Sequence, residues 1–307
     1  LKKKTQPLVS IIINCYNSEA YLREAIDSVY SQSYTNWEII LWDNASTDHT
    51  AEIAQSYDSK LRYFRGEETV VLGSARNLAI REVRGEFLAI LDSDDVWLPD
   101  KLEKQVPHFE NEKVGLSYSN TIYFNNDGKS FTLYKKMMPK GKIFQNLLQF
   151  YFLCISSVVI RKSALESLHE YFDSRFGMIE EMDLFCRIAH DWECSYTPEV
   201  VTKYRVHSSS DTWKKFEKIA VEYKLLLDKF ISIYPDFVHN YTQEVTYIKK
   251  MTTYFYAVNC LLSGDSAGAR KHIKLDCMNK RLLLLYIFSF MPARLFKFLY
   301  GRRKMLH

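Results

Sequence analysis

Two periods of apolar and polar positions alternate along the first hundred residues. Leu8 to Asn14 (LVSIIIN) is a short β-branched apolar run that fits a buried strand, and Ser18 to Tyr30 places Tyr21, Leu22, Ala25, Ile26, Val29 and Tyr30 on one helical face. Asn17 or Ser18 is expected to cap that helix. Trp37 to Trp42 (WEIILW) reads as a second strand, stopped by DNASTD, whose Ser46 or Thr47 is placed to cap a helix through Tyr57. Leu61 to Phe64 is a third strand, SARNLAIREVRG a third helix closed by Gly85, and Phe87 to Leu91 a fourth strand. Repeated βα units predict an α/β fold: a Rossmann-like, mostly parallel sheet with right-handed crossovers and helices on both faces. Such sheets bind ligands beyond the carboxyl ends of their strands, where Asn14, Asp43 and Asp92 stand.

The pattern then changes. Val114 to Phe124 is strand-like and followed by an NNDG turn, Ile155 to Ile160 is another strand, and Ser163 to Tyr171 is helical. Glu180 to His190 (EEMDLFCRIAH) sets Met182, Phe185, Cys186 and Ala189 on an apolar helical face, with Glu181 and Asp183 at its mouth, and Val200 to Val206 returns to strand. From about Thr212 the chain turns helical, which divides it into a domain of residues 1–210 and a helical region of 211–307. Within the latter, YFYAVNCLLSGDSAGARKHIKLD reads as a helical hairpin turning at Gly264 and Asp265.

Composition adds little to fold class, but charge adds a feature. Hydrophobic residues at 47% and charged ones at 25% are ordinary for a globular chain, while 21 Tyr and 19 Phe make it aromatic-rich. Residues 270–307 hold ten Lys or Arg against one acid, Asp276, a net +9, whereas the other 269 residues carry 31 basic and 36 acidic side chains, a net −5. Leu282 to Met291 is apolar all round but half the ~20 residues a bilayer span needs. With ARLFKFLYGRRK it forms a basic, amphipathic segment expected to lie on a membrane surface. Six scattered cysteines without metal-binding spacing point to buried, reduced thiols, and the basic, polar Leu1 to Pro7 does not read as a signal peptide. The expected location is therefore cytoplasmic, peripheral on the inner face of the membrane, with no nucleic acid partner.

The candidate chemistry lies at LDSDDVW, where Asp92, Asp94 and Asp95 follow an apolar strand at once. Carboxylates so close suit a hard divalent cation, which prefers oxygen ligands and bridges phosphate oxygens. Asp100 is placed to cap or charge a helix over Lys101 to Phe109. No G-x-G-x-x-G follows the first strand, where NCYNSEA stands, and no Walker loop is present.

VSIIINCYNSEAYLREAIDSVYSQSYTNWEIILWDNASTD, GSARNLAIREVRGEFLAILDSDDVWLPDKL, EEMDLFCRIAH and YRVHSSS, in that order, resemble the inverting family 2 glycosyltransferases with the GT-A fold, strongly from residue 7 to about 125 and less so from 150 to 210. The resemblance implies that Asn14 to Tyr16 and Asp43 hold the base of a nucleotide-sugar, Asp43 accepting from a pyrimidine imide. It places Arg76 near the base or the diphosphate. Asp92 and Asp94 match the D-x-D acids, one facing the ribose and one binding Mg2+ or Mn2+, with Asp95 open to either role and His207 near the metal or diphosphate. It makes Glu181 the base that takes the proton of the acceptor hydroxyl, although the family has Asp there, with Asp183 or Glu180 as substitutes.

The leading expectation is a metal-dependent transferase that moves a sugar from a UDP-sugar to a glycan or lipid-linked acceptor of a bacterial surface. Trp97 and Trp192 are open to either a pocket wall or the core. A nucleotidyltransferase is the rival enzyme, but it calls for a Gly-rich phosphate loop that NCYNSEA lacks; a non-catalytic sugar-nucleotide-binding scaffold at the membrane is the third reading.

Overall fold

The computed structural model describes residues 6–207, 218–273 and 280–304. Ser208 to Ser210 of YRVHSSS, the start of the helical region near Thr212, residues 274–279 and the last three residues lie outside the described residues. The chain divides into two compact units, Leu1–Ser210 and Asp211–His307.

The first unit opens with β1 (Val9–Cys15), α1 (Leu22–Tyr30), β2 (Trp37–Asp43), α2 (Thr50–Gln55), β3 (Leu61–Arg65), α3 (Leu72–Ile80) and β4 (Phe87–Ile90). It continues with β5 (Val96–Trp97), α4 (Lys101–Gln105), β6 (Val114–Phe124), β7 (Ser130–Thr132), α5 (Phe144–Gln149), β8 (Val159–Arg161), α6 (Lys162–Glu166), α7 (Glu180–Asp191) and β9 (Glu193–Arg205). The sheet runs β3-β2-β1-β4-β8-β6-β9-β5, with β7 on β6. Its first four strands are mutually parallel, β8 lies antiparallel between β4 and β6, and β6 and β9 are parallel.

The two-residue period of a strand explains how β1 is covered. Val9, Ile11 and Ile13 point one way and bury completely with Leu22, Ala25, Ile26 and Val29 of α1. Each such side chain contributes roughly 1.5–3 kcal/mol when removed from water. α3 packs on β1 and β2, so their parallel C-terminal ends lie beside it.

Several boundaries differ from the sequence reading. Neither Asn17 nor Ser18 caps α1 through its side chain; Asn17 adopts φ 50° and the Ser18 carbonyl accepts from the Leu22 amide at 3.0 Å. The Ser46 amide donates to Asp43 Oδ1 instead of starting a helix, and α2 begins at Thr50. α3 ends at Ile80, so Gly85 does not close it: a Cβ there would lie 2.6 Å from the Leu8 carbonyl and 2.7 Å from the Ser10 amide, and glycine lets two backbones pass. Residues Ile155–Ser157 form a 3-10 turn ahead of β8, and α4 gives way to a 3-10 turn at Val106. Asp100 makes no side-chain cap; it pairs with Lys104 at 2.8 Å.

The second unit consists of helices Ile219–Ile233, Phe237–Asn240, Thr242–Ser263, Ser266–His272, Lys280–Phe288 and Ala293–Lys304. Gly264, at φ 93°, ends the long helix, and the Asp265 side chain accepts from the Gly268 amide to start the next, which makes the expected turn. Ala257, Val258, Leu261, Ala269, Ile273, Leu282, Leu285 and Phe296 form its core. Among the described residues no helix is long and apolar enough to cross a membrane.

Candidate active site

The carboxyl ends of β1, β2 and β4 form the site floor. Asn14 is the parallel register partner of Trp42, so the two side chains share a sheet face. Asn14 Oδ1 and Nδ2, Trp42 Nε1 and Arg76 Nε are all buried without a hydrogen-bond partner among the described residues. Leaving such atoms unsatisfied costs about 1–3 kcal/mol each, and a bound polar ligand or water relieves it. Tyr16, just past β1, is 55% exposed and free to cover a ligand.

Asp43, expected to hold the nucleotide base, is the last residue of β2. Its side chain is fully buried, Oδ1 accepts from the Ser46 amide at 2.8 Å and Oδ2 from the Tyr63 hydroxyl at 2.7 Å, with Arg65 at 3.4 Å. Asp43 therefore shapes the turn after β2. Asn44 continues this role by holding Val70 through both its backbone amide and its carbonyl.

The three acids after β4 fall into separate environments. Asp92 is partly open and its Oδ1 accepts from Arg76 Nη2 at 3.0 Å. Asp94 is partly open and its Oδ2 lies 2.8 Å from His207 Nε2, whose ring packs on Tyr21 at 5.2 Å. Asp95 is sealed: Oδ1 accepts from the Arg205 amide at 2.9 Å and Oδ2 from the Ser156 hydroxyl at 2.6 Å. Burial, with Asp94 and Asp92 beside it, pushes the Asp95 carboxyl well above its ordinary range. Asp95 ties the end of β9 to the turn, and the structure does not bring it to the open face with Asp92 and Asp94.

Arg76 joins this strand end to the start of α7. Its Nη1 lies 2.8 Å from Glu180 Oε1 while Nη2 holds Asp92, and its guanidinium sits over the Phe172 ring at 5.3 Å. Glu181 follows, half-buried, and its carboxyl is pushed up to about 8 by burial and by Glu180, with Asp92 adding and Arg76 opposing. Asp183 is fully buried and bound to Arg187 at 2.7 Å, while Arg187 also donates to the Glu170 and Tyr171 carbonyls. It anchors the helix and does not stand open as a substitute base.

Two side chains went unnoticed in the sequence. Ser156 accepts from the Asp92 amide and donates to Asp95, and Trp97, a 2%-exposed core residue, donates to its carbonyl at 2.8 Å. The buried Tyr151 hydroxyl has no partner among the described residues, and its acidity is lowered first by burial and next by Glu181. No local periodicity marks either position. Trp192 packs against Gly115, where a Cβ would meet its ring at 2.6 Å.

Asp92 and Asp94 are partly open carboxylates, the ligand type that a hard divalent cation prefers. Among the described residues no group of three or more His, Cys, Asp or Glu is placed to hold a metal ion.

Residues 10–168 match the family described as Glycosyl transferase family 2. The Escherichia coli protein WfgD, named UDP-Glc:alpha-D-GlcNAc-diphosphoundecaprenol beta-1,3-glucosyltransferase, is 29% identical over 247 residues, 78% of this chain and 90% of that protein. The fold is similar to that of S. aureus TarS residues 1–349 in complex with UDP-GlcNAc, with a TM-score of 0.58, 19% identity and coverage of 86% and 88% of the two chains. It is similar as well to the mannosyltransferase PcManGT of Pyrobaculum calidifontis in complex with GDP-Man and Mn2+, with a TM-score of 0.63, 18% identity and coverage of 94% and 88%.

Proposed function

Because the chain belongs to glycosyl transferase family 2, we propose that it moves a hexosyl or N-acetylhexosaminyl group, with inversion, from a UDP-sugar to a hydroxyl of a lipid-linked glycan in surface polysaccharide synthesis. The observation that carries the reading is the Arg76 guanidinium between Asp92 and Glu180, which puts the acids of the β4 end and the start of α7 in one site. The UDP donor and lipid-linked acceptor follow the WfgD name, and the TarS complex accords with a uridine nucleotide.

In this reading Asn14, Trp42 and Tyr16 receive the nucleoside, and Asp43 holds the floor beneath it. Asp92, Asp94 and His207 hold Mg2+ or Mn2+ with the diphosphate. When bound, the cation offsets the charge that develops on the leaving diphosphate. Arg76 keeps Asp92 in place. The reaction is one displacement: the acceptor oxygen bonds to the anomeric carbon as the bond to the diphosphate oxygen breaks, the electron pair leaves with UDP, and Glu181 takes the hydroxyl proton. A carboxylate with a proton affinity near the working pH is well matched to that transfer.

The helical unit supplies the membrane contact in the same proposal. Leu283, Leu284, Ile287, Phe290 and Leu295 are exposed in a stretch whose net charge is +9, the combination that binds anionic lipid from the cytoplasmic side. The test of the nucleotide reading is calorimetric titration with UDP in Mn2+ and in EDTA. Binding that requires the metal is expected; equal binding in both solutions, or none, contradicts it.

A further inference from the structure

A second feature of the catalytic unit lies outside the donor site. Between Asp127 and Glu166 the sequence contains no acid, yet Lys129, Lys135, Lys136, Lys140 and Lys142 fall within it. The five are exposed, in a unit whose remainder is acid-rich. The segment after β7 runs antiparallel along β6: the Leu133 amide donates to the Thr121 carbonyl, and Tyr134 is held through its backbone amide and carbonyl by Asn120. The Tyr134 hydroxyl then donates to the Phe152 carbonyl at 2.6 Å, which ties the Lys135–Lys136–Met137 stretch to residues 150–152.

Those residues lead to the base. Phe150 is 60% exposed with its ring 6.4 Å from that of Phe152, and Met137 is 64% exposed. The next residue, Tyr151, turns inward with its hydroxyl buried and unpartnered among the described residues. α5, which delivers it, packs against α7, whose first turn carries Glu181. The Tyr134–Phe152 bond thus sets the stretch that carries Lys135, Lys136 and Met137 beside the segment that carries Phe150 and Tyr151.

We infer that Lys135, Lys136, Met137 and Phe150 form the docking surface for an isoprenyl diphosphate, the carrier end of the acceptor, with Tyr151 hydrogen-bonding the acceptor sugar beside Glu181. The two lysines match the diphosphate in charge, since its oxygens carry more negative charge than any neutral glycan, and Met137 and Phe150 suit the first isoprene units. Tyr151 gains a partner for the hydroxyl that has none among the described residues. The inference rests on the transferase reading and names the part of that site which takes the acceptor.

The test uses the full chain saturated with UDP and Mn2+, so that the donor site cannot take the probe, titrated with farnesyl diphosphate and with farnesol. Wild type is expected to bind farnesyl diphosphate at least tenfold more tightly than farnesol. Lys135→Glu with Lys136→Glu, and separately Phe150→Ser, are expected to weaken it at least tenfold with the UDP affinity retained. No binding by the wild type, or equal binding by the variants, overturns the inference. So does loss of binding to phosphatidylglycerol vesicles in the lysine variant with farnesyl diphosphate binding intact, which would assign the surface to bulk anionic lipid. Failure of UDP to bind with Mn2+ would overturn the transferase reading instead, and the farnesyl diphosphate titration without nucleotide would still decide whether the surface takes an isoprenyl diphosphate.

Discussion

Arg76 Nη1 lies 2.8 Å from Glu180 Oε1, across 104 positions of sequence, and both side chains are at least 95% buried. The second guanidinium arm binds Asp92, so one residue on α3 holds the end of β4 to the start of α7. Arg76→Lys leaves a single ammonium where a planar fork spanned two carboxylates. Breaking a buried pair in this way typically costs about 3 kcal/mol, so urea unfolding should show a loss of that order. Transfer should fall by at least about 100-fold because Glu180 and Asp92 lose their common anchor.

Asp94→Asn is expected to erase the difference between UDP titrations in Mn2+ and in EDTA. His207→Ala should keep that difference but weaken metal-dependent binding, because it removes one of the three side chains proposed to hold the cation while Asp92 and Asp94 remain. Asp95→Asn should act on stability more than on metal affinity, since both its oxygens already accept from Arg205 and Ser156.

The proton affinity of Glu181 sets two opposite pH dependences. Its carboxyl is raised from 4.5 to about 8, so between those values the folded chain holds a proton that the unfolded chain has released. Stability of the free protein therefore falls as pH rises through this window, reaching its full loss above about 8. Activity moves the other way, because only the carboxylate accepts a proton: kcat/KM should climb with pH to a plateau above the same value. Glu181→Gln should be more stable than wild type at pH 9 and equally stable below pH 4, as measured by chemical unfolding.

Gly85→Ala tests the close passage of two strands. A methyl 2.6 Å from the Leu8 carbonyl and 2.8 Å from the Phe87 carbonyl forces backbone to move, and a loss of roughly 2–4 kcal/mol is expected in urea unfolding. Nucleotide affinity at moderate denaturant-free conditions should change little, because Gly85 lies at the start of β4 and the site at its end.

Removal of residues 282–307 should release the protein from phosphatidylglycerol vesicles in a flotation assay. Retained binding would assign membrane contact to another surface.

The parallel half of the sheet was readable because its strands are short apolar runs and its helices amphipathic, both local properties. The acids at the end of β4 were equally plain, since three carboxylates after a buried strand have few explanations. Their division was not: Asp95 differs from Asp94 only through Ser156 and the Arg205 amide, 61 and 110 positions away. The same holds for Asp43, whose carboxylate is claimed by Tyr63, and for Asp183, which Arg187 neutralises from the next helical turn. Gly85 looked like a helix end because glycine serves both that use and close backbone approach, and only the neighbouring strand distinguishes them. Tyr151 carried no signal at all, being one aromatic residue in a run of aromatic and apolar residues.

The proposed reaction turns on Glu181 as the base of a metal-assisted sugar transfer. Its direct measurement is UDP release from UDP-sugars in the presence of alpha-D-GlcNAc-diphosphoundecaprenol, for wild type and Glu181→Gln, alongside UDP titration of both in Mn2+. Acceptor-dependent turnover by the wild type is expected, with a loss of at least about 1,000-fold in Glu181→Gln and the same UDP affinity in the two proteins. Near-normal turnover by Glu181→Gln would contradict that role.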